Sequence, residues 1–543
     1  MVDERSAAFF ALGMAQQLQR PVAVLCTSGS ALLNYYPAVA EAFFSGIPLV
    51  VISADRPFYK IDVGDGQTIR QDHVFDRHIG YSANLRQDAC HATHKIQKYA
   101  PKYLEGKDAS FVQSDIQAYN DGELNKALNL ALGQKLPVHI NVPFEEPLYD
   151  RQLHVLKKPQ LDFIIEPDNG LHVDLEAVKA IWRSSKRKMV LIGVNFPNTV
   201  EQKYLDILAE DPSVIVLTET TSNLNHSKFF PSIDSLIAPL EKLDSRDEFF
   251  EKLRPEVLLT LGGLVVSKKI KALLRNFSPT YHWHIDPYRA NDTFFSLSEH
   301  FKTNPNTFFN RFLNKAEHAK SDYFSFWNTI KENYVKQRGL YLSQIAFSDL
   351  KAFQLIFEHM PKLIQLQLAN SSTIRYAQLL DIDPSVRVFC NRGTSGIDGS
   401  TSTAIGASLA HKHPTVLITG DLSFFYDSNA LWNTYLKTDL KIIVINNSGG
   451  GIFRILPGKE ETKNFETYFE TTHQLNASHL CKTFDIDYQS VNNENALSSV
   501  LPEFFSESGK AKLLEVSTPR LSNNKILLGY FDFISSTIIN HKL

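Results

Sequence analysis

The residues best suited to chemistry lie in GDLSFFYDSNALWNTYLKTDLKIIVINNSGG, positions 420–450. An apolar strand, Thr415–Thr419, runs into Gly420-Asp421. A helical segment follows, and a second apolar strand, Ile442–Ile445, ends in Asn446-Asn447. A carboxylate and a side-chain amide at neighbouring strand ends make a hard, all-oxygen site. Mg²⁺ favours such ligands and keeps phosphate oxygens in its octahedron. The small turn after each strand also exposes backbone N–H groups suited to a diphosphate. A plain strand-end turn with a hairpin-like Asn-Asn-x-Gly is the competing reading of the same residues.

Those turns need a frame of parallel strands. Short apolar runs alternate with amphipathic stretches along nearly the whole chain, the pattern of α/β units with buried parallel strands. A first set comprises Val22–Cys26, Pro48–Ser53 and Val138–Val142. A second comprises Met189–Gly193, Val214–Leu217, Val257–Leu261 and His282–Ile285. A third comprises Leu363–Leu368, Val386–Phe389, Val416–Thr419, Ile442–Ile445 and Leu513–Val516. Three doubly wound, mostly parallel-sheet α/β domains are therefore expected, at 1–150, 165–335 and 345–543. A proline-bearing stretch from Asn141 to Gly170 reads as a linker, and a charged, aromatic-rich segment from about Asn304 to Leu342 as helical. The helix opening at Asp3-Glu4-Arg5 has no strand before it, so the first domain is expected to lack its first strand and helix.

At 543 residues the chain is too long for one core. A net charge of −3 argues against a nucleic-acid surface. Cys26, Cys90, Cys390 and Cys481 form no CxxC pair, which fits a reducing, cytoplasmic protein better than a zinc or disulfide framework. No apolar run reaches the ~18–20 residues of a membrane span.

DERSAAFFALGMA, CTSGSALLNYYPAVAEAFFSGIPLVVISADRP, LPVHINVPFEEPLY, NRGTSGIDGSTSTAIG and GDLSFFYDSNAL together resemble the 2-succinyl-5-enolpyruvyl-6-hydroxy-3-cyclohexene-1-carboxylate synthase family. These are thiamine-diphosphate enzymes of menaquinone biosynthesis. The resemblance runs from Val2 to the C-terminus and is weakest between about residues 150 and 250. Leucine after the Gly-Asp, followed by YDxNAL, is this family's form where many relatives carry glycine.

The resemblance implies thiamine diphosphate with Mg²⁺ or Mn²⁺, the substrates 2-oxoglutarate and isochorismate, and a homodimer or homotetramer with active sites between subunits. It assigns Glu4 to the cofactor's N1′, where a carboxyl group favours the imino tautomer; a first-turn helix glutamate is the plainer alternative. Ile397 resembles the apolar residue that bends the cofactor, although a core contact would explain it equally. Asp421, Asn447 and the Gly449 carbonyl match metal ligands. Gly420, Leu422 and Ser423 match positions beside the diphosphate, and Gly450 and Gly451 its close backbone approach. Ile452, Phe453 and Leu456 match the apolar wall. Arg56, Arg375 and Arg392 each follow an expected strand and match carboxylate-binding positions, with Gln67 and Ser371 as polar contacts and Lys268 at the edge of the middle domain. A guanidinium fork suits a planar carboxylate. No second acid or histidine stands out as a dedicated proton-transfer group.

Some positions depart from the family's pattern. Its usual Ser-Arg pair in an SPGSR-like turn ahead of Glu4 is absent here. Lys269 stands where arginine is frequent, and Gly66 where asparagine is. The expectation is thus the synthase reaction, with a truncated, cofactor-binding but inactive chain as one alternative and another thiamine-diphosphate 2-oxoacid decarboxylase or lyase as a second.

Overall fold

The computed structural model describes residues 1–91, 93–104, 106–146, 162, 175–313, 319–455 and 462–540. Among the described residues, fifteen strands form three sheets. The first holds β1 (Val22–Cys26), β2 (Leu49–Asp55), β3 (Tyr81–Asn84) and β4 (Val138–Pro143). The second holds β5 (Lys188–Ile192), β6 (Val214–Thr218), β7 (Val257–Leu261), β8 (Tyr281–Ile285) and β9 (Leu297–Phe301). The third holds β10 (Gln365–Leu368), β11 (Arg387–Cys390), β12 (Thr415–Gly420), β13 (Leu440–Asn446), β14 (Asp487–Val491) and β15 (Lys512–Ser517). Their orders are β1-β2-β4-β3, β6-β5-β7-β8-β9 and β11-β10-β12-β13-β15-β14. Every adjacent pair is parallel. This is the expected fold class.

The chain divides into two compact units: Met1–Pro167 with Gly393–Lys412 and Asp427–Lys437, and the remainder. Most of the sequence-expected linker lies outside the described residues.

In the first unit the helix Glu4–Leu18 starts at Asp3, whose side chain accepts the Ser6 N–H at 3.0 Å. The helix packs against the helix Ser400–Ala410. Small residues permit this approach: a Cβ on Gly13 would lie 2.0 Å from the Thr403 carbonyl oxygen, and one on Gly406 1.9 Å from that of Phe10. Neither backbone can yield cheaply, so Gly406→Ala should destabilise by about 1–3 kcal/mol through overpacking. Thermal unfolding against Gly509→Ala, a site with no neighbour within 4 Å, checks this. β1 forms one edge of its sheet, with Leu25 68% exposed.

In the second unit, β5, β6 and β7 are buried at every position, as strands covered on both faces must be. Lys188 tolerates that burial because its ammonium donates to Asp211 at 2.8 Å and lies 4.8 Å above the Trp182 ring. One continuous apolar core runs from Met189 and Leu191 through Trp327, Tyr334 and Phe353 to Leu514 and Tyr530. The aromatic segment after Asn304 forms the helices Pro305–Phe312 and Tyr323–Gln344, as expected. Asn223 closes the β11 edge: its amide donates to the Val388 carbonyl and accepts the Val388 N–H, both at 2.8 Å, replacing a neighbouring strand. Among the described residues, no helix is long and apolar enough to cross a membrane.

Candidate active site

In the six-stranded sheet the chain leaves β10 toward β11 on one side and β12 on the other, so the strand order reverses between β10 and β12. Ligands of open α/β sheets bind at the carboxyl ends of strands beside such a switch point. Ser371 follows β10 there, Arg392 follows β11, Asp421 follows β12, and Asn447 follows β13.

Asp421 is 3% exposed. One carboxylate oxygen accepts the Leu422 N–H at 2.7 Å; the other accepts the Gly449 N–H at 2.9 Å and lies 3.2 Å from His473 Nε2. The Gly449 bond ties the two turns together. Gly449 has φ +150°, and a Cβ there would sit 2.8 Å from the Glu470 carbonyl oxygen, so glycine is required. Its own carbonyl oxygen accepts the Gly451 N–H at 3.0 Å. Asn447 is also buried; its Nδ2 donates to Asp349 at 2.9 Å, and its buried Oδ1 has no hydrogen-bond partner among the described residues. A buried amide oxygen left unbonded is costly, and beside a carboxylate it is a ready ligand for a hard cation. The residues therefore fit a divalent ion that takes its remaining ligands from solvent or a phosphate. Gly451 opens the single turn Gly451–Arg454, which carries Ile452 and Phe453, both partly exposed. Leu456 lies outside the described residues.

Ser371 adopts φ +68° at the start of the helix Ser372–Ala377, a strained conformation for serine. Arg375 donates to its carbonyl at 2.6 Å. Arg392, 9% exposed, donates to Asn370 Oδ1 at 2.6 Å. Burial, then the neighbouring Arg392, lowers the pKa of Arg375 below its ordinary value, with Asp234 opposing. The buried Arg392 and the half-buried Arg375, within each other's field, make a place where an anion is favoured. Lys268 is exposed at the first turn of the helix Lys268–Asn276, and Lys269 is committed to an ion pair with Glu241.

The other expected residues belong to the first unit. Glu4 is partly buried, close enough to Cys26 and Tyr35 for its charge to help hold their protons. Burial, chiefly, pushes the Cys26 thiol up to about 11. Arg56 donates to Gln67 and to Glu146, both at 3.1 Å. Gln67 is exposed with φ +57°. Beneath them, Gln71 accepts the Gly29 N–H at 2.8 Å and donates to Asn141 at 2.8 Å. Asn141 in turn donates to Asp55, which holds the Arg56 N–H. This buried network joins the ends of β1, β2 and β4. Ile397 is 38% exposed. Its loop is fixed by Glu41, which accepts the Gly393 and Thr394 N–H groups at 2.7 Å each.

Residues 1–78 match the profile of the thiamine pyrophosphate enzyme N-terminal TPP binding domain, and residues 370–516 that of the C-terminal TPP binding domain. The second match spans the whole of the Asp421 and Asn447 turns. The chain is similar to 2-succinyl-5-enolpyruvyl-6-hydroxy-3-cyclohexene-1-carboxylate synthases from Christiangramia forsetii (56% identical, covering 99% of this chain and 92% of that protein) and Flavobacterium johnsoniae (51%; 98% and 90%). The one from Porphyromonas gingivalis is 36% identical over 98% of this chain and 90% of its own length. The chain belongs to this synthase family. It is a thiamine-diphosphate-dependent enzyme.

The geometry adds residues to the candidate site that the sequence did not mark. His473 reaches Asp421 from a loop, and no periodicity or spacing marks it. Asp349, fully buried, is pushed up to about 6, first by burial and in part by the neighbouring Asp421. Glu219 is also fully buried and pushed up to about 7, mainly by burial; it accepts the Val266 and Ser267 N–H groups at 2.7 Å each and so pins the helix that begins at Lys268. Lys271 on that helix lies in the field of Glu219 and Arg392, and burial lowers its pKa. Its place in a lysine-rich turn, Lys268-Lys269-Ile270-Lys271, was the available signal.

Proposed function

We propose that the chain decarboxylates 2-oxoglutarate and adds the resulting succinyl carbanion equivalent in a 1,4 sense to isochorismate, giving 2-succinyl-5-enolpyruvyl-6-hydroxy-3-cyclohexene-1-carboxylate for menaquinone biosynthesis. The observation that carries this reading is the pair of adjacent parallel strand ends holding Asp421 and the unbonded Asn447 oxygen, with Arg375 and Arg392 on the same sheet edge.

Bound thiamine diphosphate supplies the electron sink that lets CO₂ leave a 2-oxoacid. Asp421, Asn447 and the Gly449 carbonyl would hold Mg²⁺ or Mn²⁺, and the Gly420–Ser423 turn and Gly451 would bind the diphosphate. Glu4 would hold a proton at the aminopyrimidine N1′, and Ile397 would give the cofactor an apolar contact. Ile452 and Phe453 keep water from the reacting carbon. Arg375 and Arg392 bind substrate carboxylates, Ser371 and Gln67 orient the reacting groups, and Lys268 adds positive charge. Arg56 is available because its partner Glu146 has a side chain 59% exposed, and an exposed pair is weak enough for a substrate carboxylate to displace. The four cysteines are all unbridged, which supports a reducing cytoplasm. The same reading makes the protein a homodimer or homotetramer.

The test is CO₂ release from 2-oxoglutarate with Mg²⁺ and thiamine diphosphate, followed by product formation with isochorismate. Turnover of pyruvate in preference to 2-oxoglutarate would instead indicate a different 2-oxoacid decarboxylase. Arg392→Ala and Arg375→Ala should each lower kcat/KM by roughly 30-fold or more, since losing one partner of a desolvated charge pair costs about 2–5 kcal/mol. Arg→Lys should recover only part, because an ammonium lacks the planar fork. Parental kcat/KM in both alanine variants would remove the arginines from the substrate site.

A further inference from the structure

The Asn447 amide can serve a cation only with its oxygen, and nothing in an asparagine's own shape decides which end faces the site. The decision is made by Asp349, the first residue of the helix Asp349–His359, 98 positions earlier in the chain. Asp349 is 2% exposed, and among the described residues no lysine, arginine or histidine forms an ion pair with it. Its carboxylate is instead held by neutral donors: Thr518 Oγ1 at 2.5 Å on one oxygen and Asn447 Nδ2 at 2.9 Å on the other. Its backbone N–H donates to Asn523 Oδ1 at 2.9 Å, which anchors the start of the helix that carries it. Thr518 is itself registered on β13, donating its N–H to the Asn446 carbonyl at 3.0 Å.

A carboxylate accepts and cannot donate, so it binds the NH₂ end of Asn447 and turns Oδ1 away. That oxygen is the one left buried without a hydrogen-bond partner among the described residues. A buried carboxylate with no cation is an expensive way merely to attach a helix to a strand, because apolar residues of like volume would do so at lower cost. We propose that Asp349 is a positioning residue that holds the Asn447 amide with its oxygen toward the divalent cation. Thr518 holds Asp349 in turn. This rests on the reading of Asp421, Asn447 and Gly449 as the cation's ligands. Supporting groups of this kind are worth about 10–100-fold in metal affinity.

The experiment is equilibrium dialysis of thiamine diphosphate against the full chain over a series of Mg²⁺ concentrations, with thermal unfolding of the metal-free proteins alongside. Asp349→Ala should raise the Mg²⁺ concentration for half-saturation by about 10–100-fold and still reach full cofactor occupancy at high Mg²⁺. Asp349→Asn keeps an amide oxygen that can accept from Asn447, and should recover most of the loss. A parental Mg²⁺ midpoint in the alanine variant overturns the assignment. So does an asparagine variant as impaired as alanine, or a cofactor loss that saturating Mg²⁺ does not restore. Should Asp349→Ala fail to fold, Thr518→Val provides the second reading: a shift of several-fold in the same direction is expected, and an unchanged midpoint overturns the proposal. If the parental protein retains thiamine diphosphate equally well in EDTA, the cation site itself is misassigned and Asp349 falls with it. Mg²⁺ dependence in the parent, with no change in the variants, refutes Asp349 alone.

Discussion

Asp421→Ala is expected to abolish Mg²⁺-dependent thiamine diphosphate binding, measured by titration calorimetry at saturating Mg²⁺. The side chain has two duties that alanine cannot perform. It brings the only carboxylate among the proposed ligands, and without it the diphosphate faces its own charge with little compensation. It also accepts the Leu422 and Gly449 N–H groups, so its removal leaves two turn donors unpaired and loosens the loop carrying Asn447 and Gly449. The fall in affinity should exceed the ~10–100-fold typical of residues that only support a ligand. Asp421→Asn keeps the shape and one acceptor and should fold normally while still binding poorly, which isolates the charge. Unchanged cofactor affinity in Asp421→Ala would sink the reading of both turns.

Glu4→Gln should separate holding the cofactor from using it. Glutamine is nearly isosteric and leaves the Asp3 cap and the helix Glu4–Leu18 in place. The macrodipole contribution lost with the first-turn charge is about 0.3–1 kcal/mol, too little to unfold the protein. Cofactor affinity should therefore stay close to parental, whereas CO₂ release from 2-oxoglutarate should fall by roughly 10²–10⁴-fold, the usual worth of a proton-transfer group. Glutamine can donate to N1′ but cannot exchange a proton with it. Parental turnover in the variant would return Glu4 to the role of an ordinary helix-start residue.

Much of this design is readable from residues in a row. The fully covered strands stand out because covered strands must be apolar at successive positions: β5, β7 and β13 inside their sheets, and β6 at an edge, are buried from end to end. The turns at Gly420-Asp421 and Asn446-Asn447 are legible for the same reason, since an apolar run makes the polar residue at its end conspicuous. β3, β9 and β14 were not legible. Their sequences YSAN, LSEHF and DYQSV carry no apolar run because each is an outer strand whose side chains are mostly left partly or fully exposed, unlike those of the covered outer strand β6. The grouping of 393–412 and 427–437 with the N-terminal residues was equally hidden, because it depends on Gly13 and Gly406 letting two helices meet across almost four hundred residues of chain. Glu41, Glu219 and Asp349 belong with them. An isolated acidic residue in an apolar stretch looks like surface until its partners are known: the Gly393 and Thr394 N–H groups, those of Val266 and Ser267, and the Asn447 amide. Chain order alone determined which residues could bind a metal and a diphosphate, because ligand chemistry belongs to the side chain. Which way those side chains face was decided only by tertiary structure, because a buried polar group takes its orientation from partners the fold brings to it.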